Sequence, residues 1–360
     1  MSIRIVALGS TTRRNRIGRT YSLWLTARAA NIPFLYIGVD DGPIWEPLRD
    51  NEAFLADVRT AADVADLERQ VARELDPDTV LLVCKPRPEI LRVALRLERF
   101  APVLVDVDDP ELLDPWIDNS LLLRVKRVLR TGPSKFRFGW ARRVVAKMDV
   151  IASSPSLQER YGGIVVPHVR EDDALPRARD GSERQFRVGF VGTPRNHKGV
   201  PQLRAAVALL AQQRDVRLCI TAPRPEDAQP WEEWVGYTTM EGGRRVLAES
   251  DAVAIVSQPG IWGELQFPVK LVDAMLAEVP VVITPRGPLL WAMGGTGVVV
   301  SDGSVDEIVS ALTRLADDPA FARELAVAAR QRALGMFTPA AVAPHFREAV
   351  ERVYIKRTRT

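Results

Sequence analysis

Phe186-Arg187-Val188-Gly189-Phe190-Val191-Gly192-Thr193-Pro194-Arg195-Asn196-His197-Lys198-Gly199 is the stretch on which the fold turns. It opens as a short, largely apolar run, breaks at a glycine, and passes through a cationic turn into a helical pattern over residues 200–213. Working outward, the same unit repeats. Downstream, short β-branched runs at 216–221, 252–256, 280–284 and 297–300 alternate with helical patterns at 242–249, 269–277 and 305–316. Upstream, runs at 3–8, 33–39, 79–84, 102–107, 149–152 and 164–166 alternate with helical patterns such as 20–30, 61–75 and 89–100. Strands that are apolar on both faces need cover on both faces, which parallel sheets receive from crossover helices. The series occurs twice, so the predicted fold class is α/β, with two Rossmann-like, doubly wound parallel-sheet lobes facing a cleft. The polar, turn-rich stretch 171–185 separates them, giving lobes at 1–170 and 186–340.

Composition supports this reading. A chain of 360 residues, 46% apolar and 26% charged, suits two globular domains. No run approaches the ~18 apolar residues of a membrane-spanning helix. The first residues read as a strand and not as a leader peptide. Cys84 and Cys219 lie far apart in apolar runs and read as buried thiols of a reducing compartment, which implies a cytoplasmic protein.

In facing α/β lobes, ligands bind at the carboxyl ends of the strands. After the first strand of the second lobe, Gly192 allows close backbone approach, the next helix offers free N–H groups, and Arg195 and Lys198 add two cations. This reads as a diphosphate site, or as an ordinary turn with solvated bases. It matches neither the dinucleotide fingerprint nor the P-loop spacing. In Glu264-Leu265-Gln266-Phe267-Pro268-Val269-Lys270-Leu271-Val272-Asp273-Ala274-Met275, a helix starting near Pro268 sets Lys270 and Asp273 on one face, with Val269, Val272 and Met275 packed. Lys270 could reach a phosphate or sugar and Asp273 a ribose; the alternative is a surface ion pair between them. In the first lobe, Gly18 lies in a loop made cationic by Arg13, Arg14, Arg16 and Arg19. Asp106-Val107-Asp108-Asp109 ends a strand at the cleft edge, where Asp108 and Asp109 could position an acceptor hydroxyl or cap the next turn. His168, at the lobe junction, is a sugar contact or a structural histidine.

These motifs together resemble the GT-B-fold glycosyltransferases of the "glycosyl transferases group 1" class. Phe190-Val191-Gly192-Thr193 through His197-Lys198-Gly199 is similar to that family's donor-phosphate loop. The 267–275 segment with Pro280-Val281-Val282 is similar to its signature helix and following strand. The likeness covers about 149–340. It implies a transferase moving a sugar from a nucleoside-diphosphate sugar to a hydroxyl acceptor, a glycan or a glycolipid or other lipid-linked molecule, with retention. It also implies that no cofactor is tightly bound and no metal is required. Arg195 and Lys198 would hold the diphosphate and stabilise the leaving group, with Asp109 completing the catalytic set. Gly18, Gly192, Thr193, Tyr237, Glu264, Gln266, Phe267, Lys270 and Asp273 would line the donor, and Asp108, Asp109 and His168 the acceptor side. A closing helix within 341–360 would pack back on the first lobe. Where the family has an arginine beside the loop glycine this chain has Thr193. The family's first acid falls on Leu265, one residue after Glu264, and the glycine of the turn after the helix is replaced by Glu278.

Residues 121–148 contain no acid and carry nine cations interleaved with Phe136, Phe138 and Trp140. Such a segment suits an anionic membrane surface at the inner face of the membrane, or a solvated basic helix face. Nucleic acid is disfavoured, since no recognition-helix, zinc or RNA-binding signature accompanies the charge. Two rival functions remain at this point: a sugar-nucleotide epimerase on the same fold, and a catalytically degenerate basic binding protein.

Overall fold

The computed structural model describes residues 3–358 except 14, 41, 114–133, 174 and 176–184. The first lobe is a seven-stranded parallel sheet of β1 (Arg4–Gly9), β2 (Phe34–Val39), β3 (Val58–Ala61), β4 (Thr79–Cys84), β5 (Val103–Val107), β6 (Asp149–Ala152) and β7 (Ile164–Val165), in the order β3-β2-β1-β4-β5-β6-β7. The second is a six-stranded parallel sheet of β8 (Phe186–Phe190), β9 (Val216–Ile220), β10 (Glu232–Trp234), β11 (Ala252–Ile255), β12 (Val281–Ile283) and β13 (Val298–Val299), in the order β10-β9-β8-β11-β12-β13. Both are doubly wound, so the protein has the GT-B architecture that its sequence motifs imply.

Each sheet has an apolar layer on both faces. In the first lobe Ile5, Ala7, Leu82 and Leu104 point to one layer and Val6, Leu8, Leu81 and Val105 to the other. That two-sided burial is why the strands read as continuous apolar runs and not as alternating ones. Strand order reverses between β1 and β4 in one lobe and between β8 and β11 in the other. At these switch points neighbouring crossover helices diverge and leave a crevice at the strand ends. Residues 10–13 and 85–87 follow β1 and β4 at the first crevice, and 191–199 and 256–260 follow β8 and β11 at the second.

Two edge strands escape the sequence reading. β3 reads Val-Arg-Thr-Ala, with exposed Arg59 and Thr60. β10 reads Glu-Glu-Trp, and its buried Glu232 is accepted into the fold because Arg204 donates to it at 2.7 Å. The closing helix spans Pro339–Thr358, longer than the pattern indicates, and packs on the first-lobe helix Ile17–Ala29. Tyr354 Oη donates to Asp78 there at 2.9 Å. The turn after the helix Val269–Leu276 keeps its left-handed backbone without glycine: Glu278 sits at φ 55°, a conformation costing ~1–2 kcal/mol for a residue with Cβ.

Candidate active site between the lobes

A cavity of 540 Å³ lies between the two sheets' carboxyl ends. The second lobe supplies Gly192, Thr193, Arg195, Tyr237, Lys270 and Asp273 to its wall, and the first lobe supplies Asn15 and residues 43–47. Gly192 holds φ 120°, open only to glycine, and its N–H donates to Thr221 Oγ1 at 2.7 Å. Gly199 holds φ 65°, and a Cβ there would fall 2.2 Å from the Val256 carbonyl oxygen. The loop can therefore take this path only with glycine at both ends.

Lys270 is the unusual group. It is 7% exposed, its Nζ has no hydrogen-bond partner among the described residues, and it sits 3.5 Å from the centre of the Phe190 ring. Burial, reinforced by the nearby Lys198 charge, pulls its pKa well below the usual lysine range. Lys198 donates to the Thr193 carbonyl at 2.9 Å, and burial together with Arg195 brings its pKa down to about 8. Three basic side chains with so little acidic compensation make a site that is incomplete without an anion. The sign of its pH dependence follows. An anion binds best when both amines are protonated, so diphosphate affinity should be highest below about 8 and fall as pH rises through the Lys198 pKa. Binding should be accompanied by proton uptake, because an arriving anion favours the charged form of both amines, whose pKa values burial has lowered. Calorimetry in buffers of different ionisation enthalpy measures both effects; an affinity flat from pH 7 to about 9 would contradict them.

Across the cleft, the first lobe presents a buried ionic cluster. Arg19 donates to Asp106 through Nε at 3.0 Å and Nη2 at 2.7 Å, and its Nη2 also reaches the Val166 carbonyl at 2.7 Å. His168 Nε2 lies 2.8 Å from Asp108, and Lys85 Nζ 2.9 Å from the other oxygen of that carboxylate. Burial would raise the Asp108 pKa, but Lys85 and His168 outweigh it and hold the carboxyl well below its usual range. Burial would likewise lower that of Lys85, yet Asp108 and Asp109 keep it well above the ordinary value. Lys85 also has a left-handed backbone, φ 56°, directly after β4 at the switch point.

Two bridges join this cluster to the second lobe. Gln266 Nε2 donates to Asp109 Oδ1 at 2.7 Å, while its Oε1 lies 3.2 Å from His197 Nε2, beside Lys198. Arg170 donates to Asp273 at 2.8 Å and to Ser22 Oγ at 3.3 Å; that hydroxyl lies 3.3 Å from His168 Nδ1. The cavity is thus flanked by polar contacts that cross the cleft.

Residues 185–318 match the model of the family described as Glycosyl transferases group 1. The match covers most of the second lobe and none of the first. A mannosyltransferase of Mycolicibacterium hassiacum, the MMP alpha-(1->4)-mannosyltransferase, is 27% identical over 198 residues, 51% of this chain. The match spans 47% of that protein, about half its length. Among solved structures, Anabaena Alr3699/HepE in complex with UDP and glucose superposes with a TM-score of 0.73 over 97% of this chain and 99% of that one, at 17% identity. Sucrose-phosphate synthase of Thermosynechococcus elongatus superposes with a TM-score of 0.69 over 98% and 100% of the two chains, at 14% identity.

The second lobe places most of the anticipated donor residues at the cavity. Gly192, Thr193, Arg195, Tyr237, Lys270 and Asp273 line it, and Lys198 stands directly behind Thr193. Four others lie elsewhere, Gln266 among them, since its amide bridges to Asp109 outside the cavity lining. Glu264 is 47% exposed and pairs with Arg286 at 3.0 Å, because the short helix Ile261–Leu265 turns it outward. Phe267 is core, its ring 5.4 Å from those of Trp291 and Phe337. Gly18 lies inside a helix beneath the Trp45 ring, where a Cβ would meet that ring at 2.9 Å. Val269, expected on the packed side, lines the cavity instead. Lys270 and Asp273 form no ion pair with each other; Asp273 is held by Arg170. The first-lobe loop is less cationic than its sequence indicates, since Arg19 is buried on Asp106 and Arg13 pairs with Asp40 at 3.1 Å, while Arg14 lies outside the described residues. Asp108, Asp109 and His168 come together at the cleft floor. Lys85, Arg170 and Trp45 are missed by sequence reasoning. Only Lys85 had a signal, as the first polar residue after a fully apolar strand.

Proposed function

We propose that the protein is a glycosyltransferase that moves a sugar from a nucleoside-diphosphate sugar to a hydroxyl acceptor, a sugar or glycolipid. The observation that carries this reading is the buried Lys270 amine, without a hydrogen-bond partner among the described residues, in an inter-lobe cavity that also holds Arg195. As the sugar–phosphate bond breaks, negative charge grows on the departing diphosphate. Lys270, Lys198 and Arg195 are already fixed there, so they stabilise that charge without reorganising. Their charge performs the role that a divalent cation has elsewhere, so no metal is required in this reading. Asp273 accepts from the ribose hydroxyls once Arg170 yields to the ligand. Asp109 and Gln266, at the cleft floor, face the sugar and the acceptor. The UDP complexes of Anabaena HepE and the mannosyl transfer named for the M. hassiacum protein support a nucleotide-sugar donor and a sugar acceptor.

The family resemblance supports transfer with retention. Incubation with nucleotide sugars and sugar or glycolipid acceptors should release nucleoside diphosphate only with the matched pair, and proton NMR of the product should show the donor's own anomeric configuration. Nucleotide release with an inverted product would remove retention but leave transfer. Release with no product formed, or interconversion of the donor, would favour the epimerase or degenerate alternatives.

A lipid-linked acceptor would agree with peripheral binding at the inner face of the membrane. Residues 121–133 of the basic segment lie outside the described residues. The helix Ser134–Val145 presents Phe136, 79% exposed, among arginines. Among the described residues no helix is long and apolar enough to cross a membrane. Cosedimentation with anionic but not neutral vesicles, weakened in Phe136→Ser, is the expected result; equal pelleting with both vesicle types would contradict it.

A further inference from the structure

The first lobe contributes to the donor cavity through a short arm that the donor reading does not use. The arm leaves β2 at Gly42, whose φ of 137° is a glycine conformation, and ends at Leu48, which is completely buried in the first-lobe core. Between these anchors Pro43, Ile44, Trp45, Glu46 and Pro47 all line the cavity. Trp45 has a fixed seat. The six-membered part of its ring lies against Gly18, where an added Cβ would come within 2.9 Å of it. The ring also packs against the first-lobe core, and so does Met240 of the second lobe.

The arm meets the cavity at a definite end. The cationic end is set by the loop after β8 and by Lys270, near the middle of the second sheet. Tyr237 and Met240 follow β10, at the edge of that sheet, and the Glu46–Leu48 turn packs on the helix Met240–Ala248. The wall at this edge consists of Trp45, Pro43, Ile44, Tyr237, Met240 and Leu247, with Thr238 and Thr239 among them. Phosphates at the central end leave the apolar, aromatic edge for the flat part of the ligand. Tyr237 is 60% exposed, so its ring is not committed to the core.

We propose that Trp45, carried on the 43–47 arm, closes the nucleobase end of the donor pocket, so that the base is held between the two lobes and not by the second lobe alone. This rests on the donor reading above and adds a residue from the opposite lobe. It makes base affinity depend on lobe closure: the arm can hold the base only while the first lobe stays in contact with the helix Met240–Ala248.

The test uses the full chain and calorimetric titration with UDP, GDP, ADP and inorganic pyrophosphate. Pyrophosphate probes the cationic end without a base. Trp45→Ala should weaken the preferred nucleoside diphosphate by about tenfold or more, the worth of a base-stacking contact, and leave pyrophosphate affinity unchanged. Trp45→Phe, which keeps an aromatic face and protects against a folding artefact, should restore most of the loss. Unchanged nucleotide affinity in Trp45→Ala would overturn the proposal. So would equal losses for nucleotide and pyrophosphate, which would mean that the arm only supports the lobe arrangement. Wild-type protein that binds pyrophosphate but none of the three nucleotides would also overturn it. Wild-type protein that binds none of the four would sink the donor reading beneath it.

Discussion

Lys270→Met should remove about a hundredfold or more of kcat/KM for donor turnover, the scale of losing one fixed charge-stabilising group, while making the folded protein more stable. The two effects have opposite signs because they have one cause. Lys270 keeps its amine out of water with no hydrogen-bond partner among the described residues, and burial holds its pKa well below the usual range. An unsatisfied buried polar group costs ~1–3 kcal/mol. The Phe190 ring beneath it returns part of that. Methionine fills nearly the same volume without the penalty, so a gain of about 1 kcal/mol in unfolding free energy is expected. Denaturant melts and steady-state kinetics on one preparation give both numbers. Proton uptake on nucleotide binding should fall in the same variant, because an anion favours the charged form of the Lys270 amine. A destabilised variant with normal turnover would assign Lys270 to the core and leave the site without its principal anion-binding group.

Arg19→Leu should cost the fold ~3–5 kcal/mol, the range for breaking one side of a buried pair. Against a typical total of ~5–15 kcal/mol this is a large fraction of the stability. Arg19 is 1% exposed and Asp106 completely buried, with three donor contacts between them and a fourth to the Val166 carbonyl. Removal of the guanidinium leaves a carboxylate with no water and no partner. Asp106→Leu should be costly too, for the converse reason. The double variant should recover much of the loss, since two apolar side chains carry no desolvation penalty. Urea midpoints for the cycle decide the matter; strict additivity of the two single losses would show that the pair is not the source of the stability. The consequence for function is positional. Arg19 also stands 4.0 Å from Asp108, so the pair anchors the strand end from which Asp108 and Asp109 face the second lobe.

The sheets were legible in the sequence because buried parallel strands carry an unbroken apolar signal. Thr79–Cys84 is buried at every position and reads so directly. Val58–Ala61 and Glu232–Trp234 did not, because edge strands expose a face or keep charged residues that pair locally. In the site, the loop 190–199 could be read because glycine and cations after a strand have a local physical meaning. The helix bearing Lys270 and Asp273 could be read too, but not the state of its side chains. Whether Lys270 finds Asp273 depends on Arg170, which is 103 positions from Asp273 in the chain. Spacing alone equally could not say that Gly18 serves a tryptophan and not a phosphate, since that ring arrives from an arm after β2. Glu264 and Gln266 are two residues apart, yet the short helix before Pro268 turns one to solvent and the other onto Asp109. Local pattern fixed which segments face the cleft; long-range contacts decided which atoms do.

We propose that the inter-lobe cavity is a nucleotide-sugar site whose affinity comes from its buried cations. Calorimetric titration of wild-type protein and Lys198→Ala with UDP-, GDP- and ADP-sugars tests it most directly. The account predicts micromolar binding to one donor class in wild type and a loss of about tenfold or more in the variant. A folded wild-type protein that binds none of the three, or a variant that binds its donor as tightly as wild type, would contradict it.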